Sequence, residues 1–501
     1  MKVRARAGRR FGDPSRGTTH LFAAGRCHDP ASPPVAVGWT ILIAAVAGAL
    51  LLCHILTFSF VLADGRYLFL SDDALISLRY ADRLIHGRGL TWNDDEPPVE
   101  GYSNLLWVLA VSALGVFGVD LILSARILGC LAAAAIIAAV VYLHPLRRLP
   151  DGRGPPLLNA AMSPLTAAIA LALTGPLAVW TIGGMEQPLL AALVAWAFVL
   201  LVPFLDGSDP PIRTLVWPGL LFGMAVLTRP DAVIFPAAAC LGLAIAGRCR
   251  RRVLLLAVML AVLPAALFLG QIGFRLAYYG DWIPNSARVK LAFSWPRLVG
   301  GLASVGVGLT RLSPLVILAA VSVAGAFIAG QRTGRATVLT AMALSWVLYL
   351  VIIGGDIFAA WRQLVVVAVV AAFLAADGLE WLTARFHRFR GALAAAVAAS
   401  LGLLAVLQAT DPENDRARTE RWEWDGLVIG RLLRAAFGPR QPVLATDLAG
   451  CIPYSSGLPT IDMLGLNDRW LARHPPAAFG TGQIGHELGD GTYVLDRRPD
   501  L

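Results

Sequence analysis

Charged residues are scarce. Asp, Glu, Lys and Arg make up 15% of the 501 residues, against 57% hydrophobic ones, and long stretches carry no charge. That excludes an ordinary soluble core and points to a polytopic membrane protein. Cysteine is sparse too: Cys27, Cys53, Cys130, Cys240, Cys249 and Cys451 form no Cys-x-x-Cys pair and no His/Cys spacing suited to zinc, so they read as packing residues. There is no Gly-x-x-x-x-Gly-Lys-Ser/Thr loop and no Gly-x-Gly-x-x-Gly after a strand. A soluble nucleotide donor therefore has no cradle, and neither a nucleotide nor a redox cofactor is expected. Basic residues outnumber acids, for a formal net charge of +9, but they lie in short blocks between apolar runs. Membrane orientation accounts for such blocks, and no nucleic-acid partner is implied.

What is present is a series of apolar runs. Residues 1–34 are basic and lack apolar periodicity, the character of a disordered cytoplasmic tail. The run at 36–63 is longer than the core of a signal peptide and has no small-residue cleavage site, so it reads as an uncleaved first span. Further runs of spanning length lie at 121–144, 164–182, 187–205, 213–229, 231–247, 253–274, 313–330, 336–353, 363–378 and 391–409, about 11 crossings in all. The run at 104–118 is either another span or a re-entrant or interfacial helix. If it does not cross, then Arg147, Arg148, Arg153, Arg248, Arg250, Arg251, Arg252, Arg332, Arg335, Arg385, Arg388 and Arg390 all face the side of the basic tail, the positive-inside pattern. The N-terminus is then cytoplasmic.

With that topology the loop 64–103, GGMEQ at 183–187, RPD at 229–231, YYGDWIPNSARVK at 278–290, GGD at 354–356 and the segment 410–501 share the outer face. The expected fold is an all-α polytopic membrane domain over 35–409, with a small C-terminal extracytoplasmic α/β domain over 410–501. In that domain VLATDLAG at 443–450 and TYVLDRR at 492–498 read as short strands.

Chemistry is expected in the polar stretch 71–107. Asp72 and Asp73 open it, before ALISLRYADRLIHG, an amphipathic pattern able to lie flat on the membrane. Two adjacent carboxylates can bind a divalent cation or divide a base's work between them. Ser71 or Asp72 also suits a helix N-cap. Arg229, Lys290 and Arg362 stand near the outer ends of apolar runs, where cations suit a phosphate, and equally suit snorkelling or pairing with Asp231 or Asp356. A phosphate substrate reached from the membrane is more naturally lipid-linked than soluble.

At these residues the sequence resembles the GT-C class of polytopic, polyprenyl-phosphate-sugar-dependent membrane glycosyltransferases. The likeness is greatest to the terminal arabinofuranosyltransferase (arabinofuranosyltransferase B) branch. It is carried in the first outer loop by Asp72, Asp73, Ala74, Ile76, Arg79, Tyr80, Leu84, Gly87, Gly89, Leu90, Asn93, Glu96, Val99, Glu100, Gly101, Tyr102, Asn104 and Trp107. It continues through GGMEQ, LTRPD, YYGDWIPN with Lys290, GGD with Arg362, DLAGCIPY, IDMLGL and GHE. Ser103, Asp231 and Gln363 depart from the pattern, where threonine, glutamate and an aromatic residue are usual.

The resemblance implies a multi-pass enzyme of the cytoplasmic (inner) membrane, with its active site and C-terminus outside. Such an enzyme moves a sugar, arabinofuranose or a related one, from a polyprenyl-phosphate donor to an envelope glycan or lipid acceptor. Asp72 and Asp73 would be catalytic, with room for a divalent cation (Mg or Mn) between them. Arg229, Lys290 and Arg362 would hold the donor phosphate, and Arg79, Tyr102, Asn104, Asn285 and His486 would contact substrate. A transporter or flippase for a lipid-linked or anionic solute is the alternative. It predicts ionisable groups near the membrane midplane, whereas these runs are nearly charge-free at their centres. A glycan-binding scaffold is a third reading, in which the acid pair is dispensable.

Overall fold

The computed structural model describes residues 34–62, 65–144, 157–206, 208, 210–247, 250–328 and 334–501. Most of the expected N-terminal tail, together with Arg147, Arg148, Arg153, Arg248 and Arg332, lies outside the described residues. Among those described, seven helices are long and apolar enough to cross a membrane, and nine if each of two bent pairs counts once. The pairs are Met162–Leu173 with Gly175–Ile182, bent by 60°, and Trp295–Arg311 with Ser313–Ala326, bent by 88°. The first break has a local cause: Gly175 and Pro176 open the second helix, and proline cannot continue the hydrogen-bond ladder of the helix before it. The shorter helices Val216–Thr228 and Ile234–Ala246 run between the same two ends. Asp206 before them pairs with Arg335 at one end, and Arg229 between them pairs with Glu186 at the other.

The helix Leu105–Val116 starts and finishes at one end of the bundle. Asn104 before it bonds Glu186, and Arg126, one turn into the following helix Leu121–Leu143, donates to the carbonyls of Leu68, Phe69 and Ile182. A helix of 12 residues that returns to its own end is the re-entrant or interfacial element inferred from the charge pattern. Large buried side chains, among them Trp180, Phe198, Phe222, Phe235, Trp346 and Phe373, fill the middle of the bundle. Leu254, Leu255, Val258, Met259, Val262 and Leu269 of the helix Arg251–Tyr279 stay exposed. Such a row of bare apolar side chains suits lipid and not water.

Three expectations are corrected. The helix Asp72–Ile85 does not lie free on a surface: ten of its 14 residues are buried, packed against Leu105–Val116 and Cys451–Ser456. Its pattern is that of a helix covered on both sides. TYVLDRR forms no strand. Gly491–Asp496 is helical, with the Asp490 carboxylate accepting the Tyr493 N–H. The strand Leu444–Thr446 instead pairs in parallel with Thr460–Asp462. Finally, Trp295–Arg311 is a helix although no run marked it, capped by Ser294, whose hydroxyl accepts the Arg297 N–H.

Candidate active site

The site grows from the start of the helix Asp72–Ile85. Consecutive helical residues point about 100° apart, so the two acids part company at once. Asp72 turns toward the C-terminal segment: its Oδ2 accepts the Gly450 N–H at 2.9 Å and its Oδ1 the Cys451 N–H at 2.6 Å. The approach is so close that a Cβ on Gly450 would stand 2.0 Å from the Asp72 carbonyl oxygen, which requires glycine there. Burial pushes the Asp72 carboxyl up to about 6, against the pull of Cys451 and Gly450, with Asp73 adding to the rise. Neither Ser71 nor Asp72 caps its own helix through its side chain; Asp72 serves the start of Cys451–Ser456 instead.

Asp73 faces the other way. Its Oδ2 accepts from Lys290 Nζ at 2.7 Å, and both side chains are partly exposed, at 19% and 26%. Burial works to raise this carboxyl, but Lys290, Arg362 and His486 outweigh it and hold the group below the usual carboxylate range. Arg362 makes a two-pronged bond to Asp356, Nε to Oδ2 and Nη2 to Oδ1, both 2.9 Å. Its third nitrogen, Nη1, lies 3.2 Å from Met185 Sδ, and Ser71 Oγ reaches the same sulfur at 3.8 Å. The Phe358 ring lies beside both cations: Arg362 Cζ is 3.9 Å and Lys290 Nζ 5.8 Å from its centroid. Gly354 and Gly355, with φ of 96° and 86°, make the turn that delivers Asp356 to this point, a conformation natural only to glycine.

Arg229 is at the same end but fully engaged. It donates to both oxygens of Asp231, at 3.0 and 2.7 Å, and to Glu186 Oε1 at 2.8 Å, while Glu186 Oε2 accepts from Asn104 Nδ2 at 2.8 Å. Tyr349 completes the chain by donating to Asp231 Oδ2 at 2.7 Å. Of the three cations expected at a phosphate, the structure gathers Lys290 and Arg362 beside Asp73 and leaves Arg229 inside an ion-pair network. In the sequence Glu186 stood only within GGMEQ and Asp356 only as a pairing partner for a cation, and Phe358 was not singled out. Glu186 had a signal, as the one charged residue in the stretch 154–205; Phe358 had none.

Of the other expected contact residues, Arg79 and Asn285 tie loops to the C-terminal segment. Arg79, buried at 4% exposure, donates to the carbonyls of Trp92, Pro453 and Leu458 and to Asn93 Oδ1, with Trp92 stacked 4.3 Å away. Asn93 in turn bonds both the N–H and the C=O of Thr460. Tyr102 shares a hydrogen bond of 3.0 Å with the Tyr279 hydroxyl, and Asn285 donates to the carbonyls of Gly465 and Asp468. His486 is exposed, and it is the one member of this group whose charge reaches Asp73. Below them Arg275 and Glu100 form a buried pair at 2.7 Å.

Both Asp72 oxygens accept backbone N–H groups and Asp73 Oδ2 accepts from Lys290, so of the acid pair Asp73 Oδ1 is the oxygen left to meet a divalent cation. The group of His144, Asp377 and Glu380 brings three ligand atoms within 4.8 Å of one another, but Arg335 Nη1 already stands 3.6 Å from Asp377 Oδ1. It also lies 12 residues along the helix Val365–Arg385 from its site end, about 18 Å at 1.5 Å per residue. Described members of the basic blocks, Arg251, Arg335, Arg385 and Arg390, sit at that far end.

Residues 414–501 match a family described as a domain of unknown function (DUF8728). The chain is 28% identical over 230 residues to a terminal beta-(1->2)-arabinofuranosyltransferase of Mycobacterium tuberculosis (strain ATCC 25618 / H37Rv), a match covering 44% of this chain and 35% of the relative. It thus spans about a third of that relative's length. Among solved structures it is similar to ArnT from Cupriavidus metallidurans bound to undecaprenyl phosphate, with TM-score 0.56 and 14% identity over 85% of this chain and 86% of that one. It is also similar to the archaeal oligosaccharyltransferase AglB from Archaeoglobus fulgidus in complex with an inhibitory peptide and a dolichol-phosphate, with TM-score 0.53 and 14% identity over 88% and 65%. At such identities the likeness speaks for architecture, and the architecture is the polytopic GT-C fold.

Proposed function

We propose that this protein is a membrane glycosyltransferase that moves a sugar, arabinofuranose or a related pentose, from a polyprenyl-phosphate donor to a hydroxyl of an envelope glycan or lipid. The observation that carries the reading is the Asp73–Lys290 contact of 2.7 Å beside the Arg362 fork on Asp356. It sets a carboxylate kept ionised next to two cations at one end of an apolar bundle. The arabinofuranosyltransferase relative supports the pentose. The solved neighbours bound to undecaprenyl phosphate and dolichol-phosphate support the lipid carrier. The gathering of the described basic blocks at the other end supports a site on the outer face of the cytoplasmic membrane, by the positive-inside rule.

In this mechanism the donor phosphate settles on Lys290 and Arg362. The acceptor oxygen attacks the anomeric carbon as the bond from that carbon to the phosphate oxygen breaks, and the electron pair leaves with the phosphate. Lys290 and Arg362 stabilise the charge developing there. The acceptor's proton passes to Asp73. Lys290, drawn to the phosphate, neutralises Asp73 less, so donor binding makes the carboxylate a stronger base. Asp72, locked to Gly450 and Cys451, positions the start of the helix that carries Asp73. The test is sugar transfer from polyprenyl-phosphate arabinofuranose by the full chain in liposomes, with Asp73→Asn beside the wild type. Transfer confined to the wild type is expected, and an equally active variant overturns the role of Asp73.

A further inference from the structure

Beyond the Phe358 ring lies a cavity of about 270 Å³, lined among others by Ser304, Val307, Asp356, Phe358, Trp361 and Glu413. We propose that it is a subsite for one sugar ring, an inference that rests on the transferase reading and gives it a place for a substrate's hydroxyl groups. At about 30 Å³ per water the space equals roughly nine waters, enough for a single ring. Its chemistry is mixed in the way a sugar is mixed. Trp361 and Phe358 offer aromatic faces to C–H groups, while Asp356, Glu413 and Ser304 offer acceptors to hydroxyls. The other ligands of the proposed reaction suit it poorly. A phosphate would meet two carboxylates against one lining cation, Arg416, which is itself paired with Glu413, and a prenyl chain would take these charged groups out of water.

The walls are held in place by specific bonds. Trp361 and the preceding Ala360 both have positive φ, 51° and 52°, a strained state for residues with side chains. The Trp361 ring is fixed in that state from two sides: its Nε1 donates to Asp411 Oδ2 at 2.7 Å, and a Cβ on Gly308 would come within 3.1 Å of it. Arg416 donates to the Ile357 carbonyl at 2.8 Å and pairs with Glu413 at 3.6 Å, which ties the outer wall to the segment bearing Asp356. Phe358 is the shared partition, since it lines the cavity and flanks both Lys290 and Arg362. A ring seated here therefore borders the phosphate cations.

The ring belongs either to the donor or to the acceptor, and one experiment separates them. The probe is methyl arabinofuranoside, with glycerol as the non-sugar control. Saturation-transfer NMR on the full chain in detergent is expected to show the probe bound to wild type, and the signal cut at least fivefold in Val307→Trp. Val307 is 46% exposed, so the larger ring plugs the mouth without entering the core, and Glu413→Gln gives a second, smaller change that leaves the shape intact. In transfer assays Val307→Trp is expected to raise KM at least tenfold, for the methyl arabinofuranoside acceptor if the cavity holds the acceptor's ring, or for polyprenyl-phosphate arabinofuranose if it holds the donor's. Unchanged probe binding and unchanged KM for both substrates in both variants overturn the subsite. Probe binding that Val307→Trp abolishes, in a wild type that transfers nothing, upholds the subsite and overturns the transferase reading; normal transfer by Val307→Trp does the converse.

Discussion

Lys290 Nζ touches Asp73 Oδ2 at 2.7 Å, although 217 positions separate the two in the chain. The neighbouring Asp72 is turned away into the backbone of Gly450 and Cys451. The pair of acids thus divides into one that is accessible and ionised and one that is enclosed. A base needs a substrate's hydroxyl within hydrogen-bond reach, and Asp73 is the acid that can be approached. Asp72 instead couples the first loop to the C-terminal segment.

The division makes a paired prediction. Asp73→Asn is expected to lower transfer by roughly 10²–10⁴, the usual worth of a positioned base, with thermal unfolding unchanged. Asp72→Asn keeps one acceptor oxygen but sets an NH2 against the other backbone N–H, losing one hydrogen bond to a charged group, worth about 1.5–3 kcal/mol, and is expected to lower the unfolding temperature together with activity. Differential scanning fluorimetry beside the transfer assay checks both, and an Asp72→Asn protein of wild-type stability contradicts the clasp.

The pH profile follows from what surrounds Asp73. Lys290, Arg362 and His486 hold it below the usual carboxylate range against burial, so it stays deprotonated, and competent, through mildly acidic pH. Lys290→Met removes the first-ranked of those opposing charges and leaves burial, which raises the pKa. The acid limb of kcat/KM is therefore expected to move to higher pH in the variant, apart from any loss of donor binding at the plateau. A limb that stays in place argues that Asp73 is not the titrating base.

Much of this arrangement was legible in the sequence. The loop 71–107, the acid pair, and Lys290 with Arg362 stood out because polar groups are costly in an apolar chain, and the charge pattern alone gave the returning helix Leu105–Val116. What was not legible depended on partners far along the chain. Nothing near Asp72 announces Gly450, and the engagement of Arg229 by Glu186 spans 43 positions. Two errors were local and avoidable. Asp490 before Gly491–Asp496 and Ser294 before Trp295–Arg311 are N-cap residues in plain view, outweighed in one case by the β-branched and aromatic run TYV.

Beneath the site, Arg275 and Glu100 are 3% and 4% exposed, and burial lifts Glu100 to about 7 against the pull of Arg275. Removing Arg275 leaves Glu100 buried without its partner, and breaking a buried pair from one side costs about 3–5 kcal/mol. Arg275→Ala is expected to destabilise the protein by that order, and the double variant Arg275→Leu with Glu100→Leu to recover most of it. Equal stability of Arg275→Ala and the double variant in chemical denaturation contradicts the coupling.

Arg362 tests whether the phosphate site needs a fork or only a charge. Its guanidinium spends Nε and Nη2 on Asp356 and rests against Phe358, which leaves Nη1, now beside the Met185 sulfur, as the donor able to turn to an incoming phosphate. Lysine keeps the charge but cannot bond Asp356 at two points and a phosphate at a third from a planar frame. Arg362→Lys is therefore expected to raise KM for the polyprenyl-phosphate donor on the order of tenfold, about 1.4 kcal/mol or one charge-assisted hydrogen bond, with a smaller effect on kcat. Arg362→Ala also frees Asp356 next to the donor phosphate, and its repulsion adds to the loss, so donor KM is expected to rise further than in the lysine variant. Replacing Asp356 by Asn in the alanine background removes that repulsion. Partial recovery of donor KM in the double variant, measured by initial rates over a donor titration, would show that Arg362 both screens Asp356 and holds the phosphate; no recovery would reduce its part to direct phosphate contact.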